Sequence, residues 1–282
     1  MLIRIVRAII AAFFPAKCLV CGSFFSLSSA ADDPLATVNY PVTDPQDPVS
    51  GRNKNFSFDT LLAPFLCQTC LSGFLPVESP ICPRCGVMFK SRVGEDHVCG
   101  ECLNSPKRFG IARAPGVYDR TLMSLIHCFK YKGKIQLARP LGMLLFIAFI
   151  SFWDKNSVDL IVPVPLHIKR FRQRGFNQAF LLIRDWPGIA KTLNIDLPFL
   201  QTDREVLVRS KWTESQTGLD RKKRIANIKN AFSISDSSKI ADKKILLVDD
   251  VCTTGATADE CAKVLLNGGA RHVDVLTLAR AI

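Results

Sequence analysis

The chain has 282 residues, 48% of them hydrophobic and 22% charged, a composition that excludes a disordered protein and fits one large domain or a domain with a smaller module. Thirty-seven Lys and Arg against 25 Asp and Glu leave a net charge of +12. That balance suits phosphate-bearing partners: nucleotides, nucleic acid or an anionic membrane surface.

The N-terminal stretch MLIRIVRAIIAAFF places Arg4 and Arg7 ahead of a short apolar run. The run ends at Pro15 without a small-x-small cleavage site, and Cys18 follows at once. Leu2, Ile5, Val6, Ile9, Ile10 and Phe13 fall on one helical face, so the segment is expected to be a docked helix. Eight of the eleven cysteines then form four Cys-x2-Cys pairs: Cys18/Cys21, Cys67/Cys70, Cys82/Cys85 and Cys99/Cys102. Disulfides are the alternative, but repeated two-residue gaps are metal-knuckle spacing, because two thiolates of one tight turn can reach the same tetrahedral ion. The expected grouping is Cys18, Cys21, Cys67 and Cys70 for one zinc and Cys82, Cys85, Cys99 and Cys102 for a second, with a cross-braced pairing also open. Two four-thiolate sites would lower the effective charge from +12 to about +8. From Ser26 to Thr60 the sequence is rich in Ser, Asp, Asn and Pro and reads as a flexible insert inside this module. The cysteine module is therefore assigned to residues 1–108 and a second domain to 109–282.

From Ile111 onward strands and helices alternate, the pattern of a parallel sheet with crossover helices. Ile111–Tyr118 is expected as a strand, Thr121–Lys130 and Lys134–Phe152 as helices. Asp159–Val164 reads as a buried strand and Asn177–Leu193 as a helix. Ile245–Val248 is a second buried strand, Gly255–Leu266 a helix, and His272–Ala279 the last strand. The run Leu141–Trp153 is too short to span a bilayer and reads as a core helix, so no membrane insertion is expected. Cys128 and Cys261 lie on predicted helices as small core residues.

The segment ILLVDDVCTTGAT, Ile245 to Thr257, carries the chemistry. An apolar strand runs into Asp249 and Asp250, at the strand end where open α/β sheets bind ligands. The backbone N–H groups of Thr253, Thr254, Gly255, Ala256 and Thr257 can line a concave turn at a helix N-terminus, a phosphate cradle. Gly255 is expected to let the backbone approach the phosphate where a Cβ would obstruct it. A capped strand–turn–helix would not need two aspartates at a buried strand end. A receiver domain would put its acids near its first strand and lacks this loop. Cys252 sits near the helix start, where a thiol pKa can fall, but reads as core filler. Upstream, Val164-Pro165-Leu166-His167 leaves a strand end and meets Lys169, Arg170, Arg172 and Arg174, cations suited to a pyrophosphate. Those neighbours disfavour protonated His167, which is expected to orient the loop. Arg209, Lys211, Thr213 and Gln216 lie in a long polar segment that reads as a candidate lid.

Strand, two acids and TTGAT loop resemble the phosphoribosyl pyrophosphate (PRPP) motif of type I phosphoribosyltransferases. The stretch IVPVPLHIKRFRQRGFNQA (Ile161–Ala179), FKYKG (Phe129–Gly133), the series Arg209-Ser-Lys-Trp-Thr213-x-x-Gln216-x-x-Leu219 with Arg224, Asn227 and Phe232, and the four cysteine pairs together resemble the ComF/GntX family. The resemblance covers most of the chain outside the insert. It implies a type I phosphoribosyltransferase-like parallel sheet with flanking helices, beside an N-terminal zinc-ribbon module. It also implies that Asp249 and Asp250 meet the ribose hydroxyls and help organise Mg2+. Residues Thr253–Thr257 would hold the 5′-phosphate, and Pro165, Leu166, His167 and Arg174 would border PRPP. Members acting on 6-oxopurines carry an acid where this chain has Thr253, which argues against such an acceptor. The family's founding member takes part in natural competence. Two functions are therefore expected: a cytoplasmic phosphoribosyltransferase of unassigned acceptor acting in DNA uptake, or a non-catalytic PRPP-sensing or single-stranded-DNA-binding accessory to DNA-uptake proteins.

Overall fold

The computed structural model describes residues 15–26, 57–154, 157–197, 201–213 and 226–282. The expected N-terminal helix, most of the insert, and Gln216, Leu219 and Arg224 lie outside these residues. The chain divides into two compact units, residues 1–75 with 119–128, and 76–118 with 129–282.

In the first unit β1 (Ala16–Lys17) and β2 (Phe24–Phe25) pair antiparallel around the turn that carries Cys18 and Cys21. Helix α1 (Phe58–Leu62) starts at Ser57, whose Oγ accepts from Thr60 N at 3.3 Å. That side chain satisfies one of the N–H groups a helix start leaves open. Helix α2 (Gln68–Leu71) begins directly after Cys67, so Cys67 and Cys70 share one turn. Leu61, Leu62, Leu66 and Leu71 are buried, and the Phe58 ring stacks on Phe74 at 3.9 Å.

In the second unit Cys82 and Cys85 form a tight knuckle, and Cys99 caps α3 (Gly100–Asn104), which carries Cys102. Strands β3 (Ala112–Arg113) and β4 (Gly116–Val117) follow. Helix α4 (Arg120–Tyr131) contributes its last turn to this unit, and α5 (Ala138–Phe152) comes after a 3-10 turn at Ile135–Leu137. Next come β5 (Leu160–Pro163), α6 (Ile168–Arg174), α7 (Gln178–Ile183), α8 (Trp186–Leu193) and β6 (Gln201–Thr202). The short pair β7 (Leu207–Arg209) and β8 (Phe232–Ile234), then β9 (Lys244–Cys252), α9 (Ala256–Asn267) and β10 (His272–Arg280), complete it.

The main sheet is parallel throughout, in the order β3–β10–β9–β5–β6, with β4 also on β10. Both faces of β9 are apolar. Ile245 and Leu247 join the cluster that holds Cys261 and Leu265 of α9, while Leu246 and Val248 alternate to the other face and are equally buried. Helix α5 packs against β10, α7 and α8. It approaches α7 so closely that a Cβ on Gly142 would lie 2.4 Å from Leu182 O. The stretch Ile135–Phe152, mean hydropathy 1.8, is apolar and long enough to cross a membrane, yet 56% of it is buried in the protein.

Three expected boundaries shift. The strand expected over Ile111–Tyr118 is two short strands broken at Ala114–Pro115, where proline has no N–H to give a ladder. The helix expected over Asn177–Leu193 is two helices, because the ring of Pro187 cannot follow a continuous helix through residue 183. Strand β9 continues past Val248 to Cys252, since β10 pairs with it through Thr277↔Asp249, Ala279↔Val251 and Arg280↔Cys252. The acids thus sit inside the strand, not after it.

Candidate functional site

Strand alternation sends Asp249 and Asp250 to opposite faces. Asp249 lines a cavity of about 30 Å3 together with Thr253, Gly255, Ala256, Thr257 and Thr277. Its Oδ1 accepts from Asp250 N at 2.8 Å. Burial, and then the neighbouring Asp250 carboxylate, push its pKa up to about 7 against the pull of Lys130 and Arg209. Asp250, only 3% exposed, points the other way and meets Lys130 Nζ at 2.7 Å. Burial alone would lower the Lys130 pKa, but the Asp250 carboxylate raises it, so the lysine is held charged.

The loop after β9 turns on Gly255, whose φ of +75° is the left-handed region that side chains disfavour. A Cβ there would touch Cys252 Sγ and the Phe109 ring at 3.8 Å, ordinary contacts. The glycine is required for its backbone angle. Thr254 Oγ1 accepts from Ala256 N at 3.3 Å, and α9 starts beside the cavity with twelve residues behind it. Cys252 is buried, and burial pushes its thiol up, against any nucleophilic role.

Leaving β5, Pro165 is buried and Leu166 and His167 half-buried. His167 caps α6, its Nδ1 accepting from Lys169 N at 3.2 Å, an acceptor role that needs that nitrogen unprotonated. Loss of solvation, then Lys169, Arg209 and Arg170, lower its pKa. Arg170 Nη2 donates to Thr213 O at 2.9 Å, and Arg209 Nη2 donates to Thr213 Oγ1. Lys169 and Arg170 both lie 5.5 Å from the Trp212 ring. The lid candidates therefore separate: Lys211 is exposed, whereas Arg209 and Thr213 are buried at 7% and 4% exposure. Arg174 donates to Gln178 Oε1 and sits 5.1 Å over Tyr131. A larger cavity of about 570 Å3 opens among Lys130, Tyr131, Arg170, Arg174 and Trp212. Of the two phenylalanines near these cations, Phe171 is exposed and Phe176 packs on buried Phe129 at 5.5 Å.

The eight knuckle cysteines gather as Cys18, Cys21, Cys67 and Cys70 in the first unit and Cys82, Cys85, Cys99 and Cys102 in the second. Within each group the sulfurs lie within 4.8 Å of one another, and all are free thiols. Cys21–Cys67 and Cys85–Cys99 sulfurs are 3.6 and 3.7 Å apart. Both are far too long for a disulfide, and both match the edge of about 3.8 Å that a tetrahedron with 2.3 Å metal–sulfur bonds requires. N–H groups of Cys85 and Cys99 donate to Cys82 Sγ at 3.5 and 3.4 Å. Against the burial penalty, such bonds bring Cys82 to about 7, while burial and neighbouring thiolates drive Cys102 far up. Four thiols so close cannot all ionise without a cation among them.

Sequence reasoning missed Lys130, Lys107 and Arg280. Arg280 is a charge directly following buried Leu278 and Ala279, and Lys130 a charge following buried Phe129, mismatches that mark buried polar contacts.

The family model described as phosphoribosyl transferase domain matches residues 187–282, which include β9, the loop and α9. Competence protein F of Haemophilus influenzae is 34% identical over 219 residues, 76% of this chain and 89% of its own. DNA utilization protein YhgH of Escherichia coli K12 is 31% identical over 77% of this chain and 91% of its own length. Competence protein ComFC of Streptococcus pneumoniae is 28% identical over 76% and 87%. Matched across nearly the whole of these relatives, with the parallel sheet in place and both cysteine clusters assembled, the chain belongs to the ComF family of competence-related, phosphoribosyltransferase-like proteins.

Proposed function

We propose that the β9–α9 loop binds PRPP as its Mg2+ complex and that the chain transfers the phosphoribosyl group to an acceptor in the handling of incoming DNA. One observation carries the reading: Asp249, Thr253, Gly255, Ala256 and Thr257 line a single cavity at the start of a twelve-residue helix. Residues Thr253, Thr254, Gly255, Ala256 and Thr257 receive the 5′-phosphate, and Asp249 meets the ribose. Lys130 frees Asp250 when the ribose diol arrives. Pro165, Leu166 and His167 border the pyrophosphate, with Arg170, Arg174 and Arg209 as its counter-charges. Carboxylate and hydroxyl oxygens are donors suited to Mg2+, which neutralises the leaving pyrophosphate. In the transfer, the C1–O bond to pyrophosphate breaks and a bond from the acceptor nucleophile to C1 forms, with charge stabilisation and positioning as the main catalytic contributions. Cys18, Cys21, Cys67 and Cys70 hold one structural zinc, and Cys82, Cys85, Cys99 and Cys102 a second, in a reducing cytoplasmic setting.

Calorimetry with Mg–PRPP tests the site. The Asp249→Asn/Asp250→Asn protein should lose at least about tenfold in affinity, roughly 1.4 kcal/mol, and unchanged binding refutes the assignment. Pyrophosphate release across an acceptor panel separates the transferase from a PRPP sensor. Lys169 and Arg170 beside the exposed Trp212 ring favour a second reading, single-stranded DNA stacked on aromatic rings. Anisotropy with a labelled oligonucleotide should then show binding that weakens steeply with salt and with Mg–PRPP. No binding at about 50 mM salt removes that reading.

A further inference from the structure

Arg280 ends β10 with only 5% of its surface exposed. Its Nε donates to Cys85 O at 2.8 Å, and its Nη2 lies 3.6 Å from Cys85 Sγ. Nη1 donates to Cys252 O at 3.1 Å, to Ala281 O at 2.9 Å, and to Thr253 O. One rigid guanidinium therefore spans the first knuckle of the second cysteine cluster and the start of the loop after β9. A second tie runs from the other knuckle. Glu101 lies on α3 between Cys99 and Cys102, and accepts from Lys107 Nζ at 2.9 Å; the same Nζ donates to Thr254 O at 3.4 Å. Lys107 is 7% exposed at its side chain. Next to it, Arg108 N donates to Asp259 Oδ1 in the first turn of α9 at 2.6 Å.

Peptide planarity turns these contacts into a constraint on the loop. In a trans peptide the C=O and the following N–H point in opposite directions. The carbonyls of Cys252 and Thr253 are turned toward Arg280 and that of Thr254 toward Lys107, so each following N–H, of Thr253, Thr254 and Gly255, is directed away from the cation that holds its carbonyl. N–H groups turned away from buried cations are an arrangement that an anion-binding turn uses.

We propose that the second cysteine cluster is the scaffold of the phosphate loop, with Arg280 and Lys107 as the positioning residues that transmit it. Metal held by Cys82, Cys85, Cys99 and Cys102 fixes Cys85 O and Glu101, these fix the two cations, and the cations hold the three carbonyls that aim the loop at a phosphate. Loss of that metal releases the loop and lowers its affinity for phosphate esters. The ligand half of this inference rests on the PRPP reading above; the loop half does not.

The experiment compares the full-length zinc-loaded protein with Arg280→Met, Lys107→Met and Cys102→Ser, measuring zinc content, amide hydrogen exchange and Mg–PRPP affinity. In Cys102→Ser, zinc should fall by one per chain, and exchange in a peptide spanning Cys252–Ala258 should rise about tenfold or more. Arg280→Met and Lys107→Met should speed the same peptide while keeping their zinc and leaving exchange in Lys244–Val248 unchanged. Affinity for Mg–PRPP should drop about tenfold in all three. If Arg280→Met does not fold, Arg280→Lys, which keeps the charge and loses the fork, should give an intermediate effect. Loop exchange within about twofold of wild type in Cys102→Ser and the Arg280 variant overturns the proposal, as does acceleration spread evenly over β9. If the wild-type protein takes up no Mg–PRPP, the function reading fails, and the exchange comparison still decides the scaffold.

Discussion

Replacing Lys130 by Met should destabilise the second unit. Lys130 Nζ lies 2.7 Å from Asp250 Oδ2, with side chains 17% and 4% exposed. At an effective dielectric near 20, that separation gives an attraction of about 6 kcal/mol, most of it offset by the desolvation of both groups. Removing one partner leaves the desolvation of the other uncompensated, which costs about 3–5 kcal/mol. Because the Asp250 carboxylate raises the Lys130 pKa in the folded chain, the contribution of the lysine is fully present at neutral pH and is lost only as pH rises through that raised pKa. The deficit relative to wild type should be about 3 kcal/mol at pH 7. Urea unfolding followed by the fluorescence of buried Trp153 and Trp186 measures it. Lys130→Met/Asp250→Asn should recover most of the loss. A deficit under about 0.5 kcal/mol at pH 7 refutes the pairing.

Three further outcomes are expected. Because Asp249 is raised to about 7, Mg–PRPP binding should release a proton below that pH and weaken as pH falls from 7 toward 5.5; calorimetry in two buffers reads the proton, and Asp249→Asn should flatten the profile. Gly255→Ala should cost about 1–2 kcal/mol through its left-handed backbone angle, with Gly255→Val worse, as read by thermal unfolding. Atomic emission should find two zinc per chain, and fewer than about two removes the two-site assignment.

How far the residues alone foretold this arrangement depended on how local the determinant was. The four knuckles followed from their spacing, since each pair needs only one turn, but the choice between sequential and cross-braced grouping did not, and the assembled clusters supply it. The strand–loop–helix at Ile245–Asn267 was equally local, a run of apolar residues meeting glycine and threonine. The opposite facing of Asp249 and Asp250 was not, because it depends on β9 continuing as a strand, and β10 imposes that. Lys130 and Arg280 meet partners 120 and 195 residues away. No periodicity encodes such a contact. Arg209 read as a lid cation from its polar surroundings, yet it lies buried 5.4 Å from the Phe232 ring, held by a β7–β8 pair with no alternating pattern long enough to announce it.

Strand order also dictates when the protein can fold during its synthesis. Among the described residues the only strand that pairs with β3 or β4 is β10, and β10 leaves the ribosome more than 150 residues after β4. Helix α5 is made in that interval, with Leu141, Leu145, Phe146 and Phe149 uncovered although each is at most 1% exposed in the finished fold. Pairings so distant in sequence form slowly, and an apolar helix waiting for them is a target for aggregation or for a holding chaperone. Nascent chains arrested before His272 should therefore remain bound to chaperones and sensitive to protease, then become resistant in one step once β10 is added.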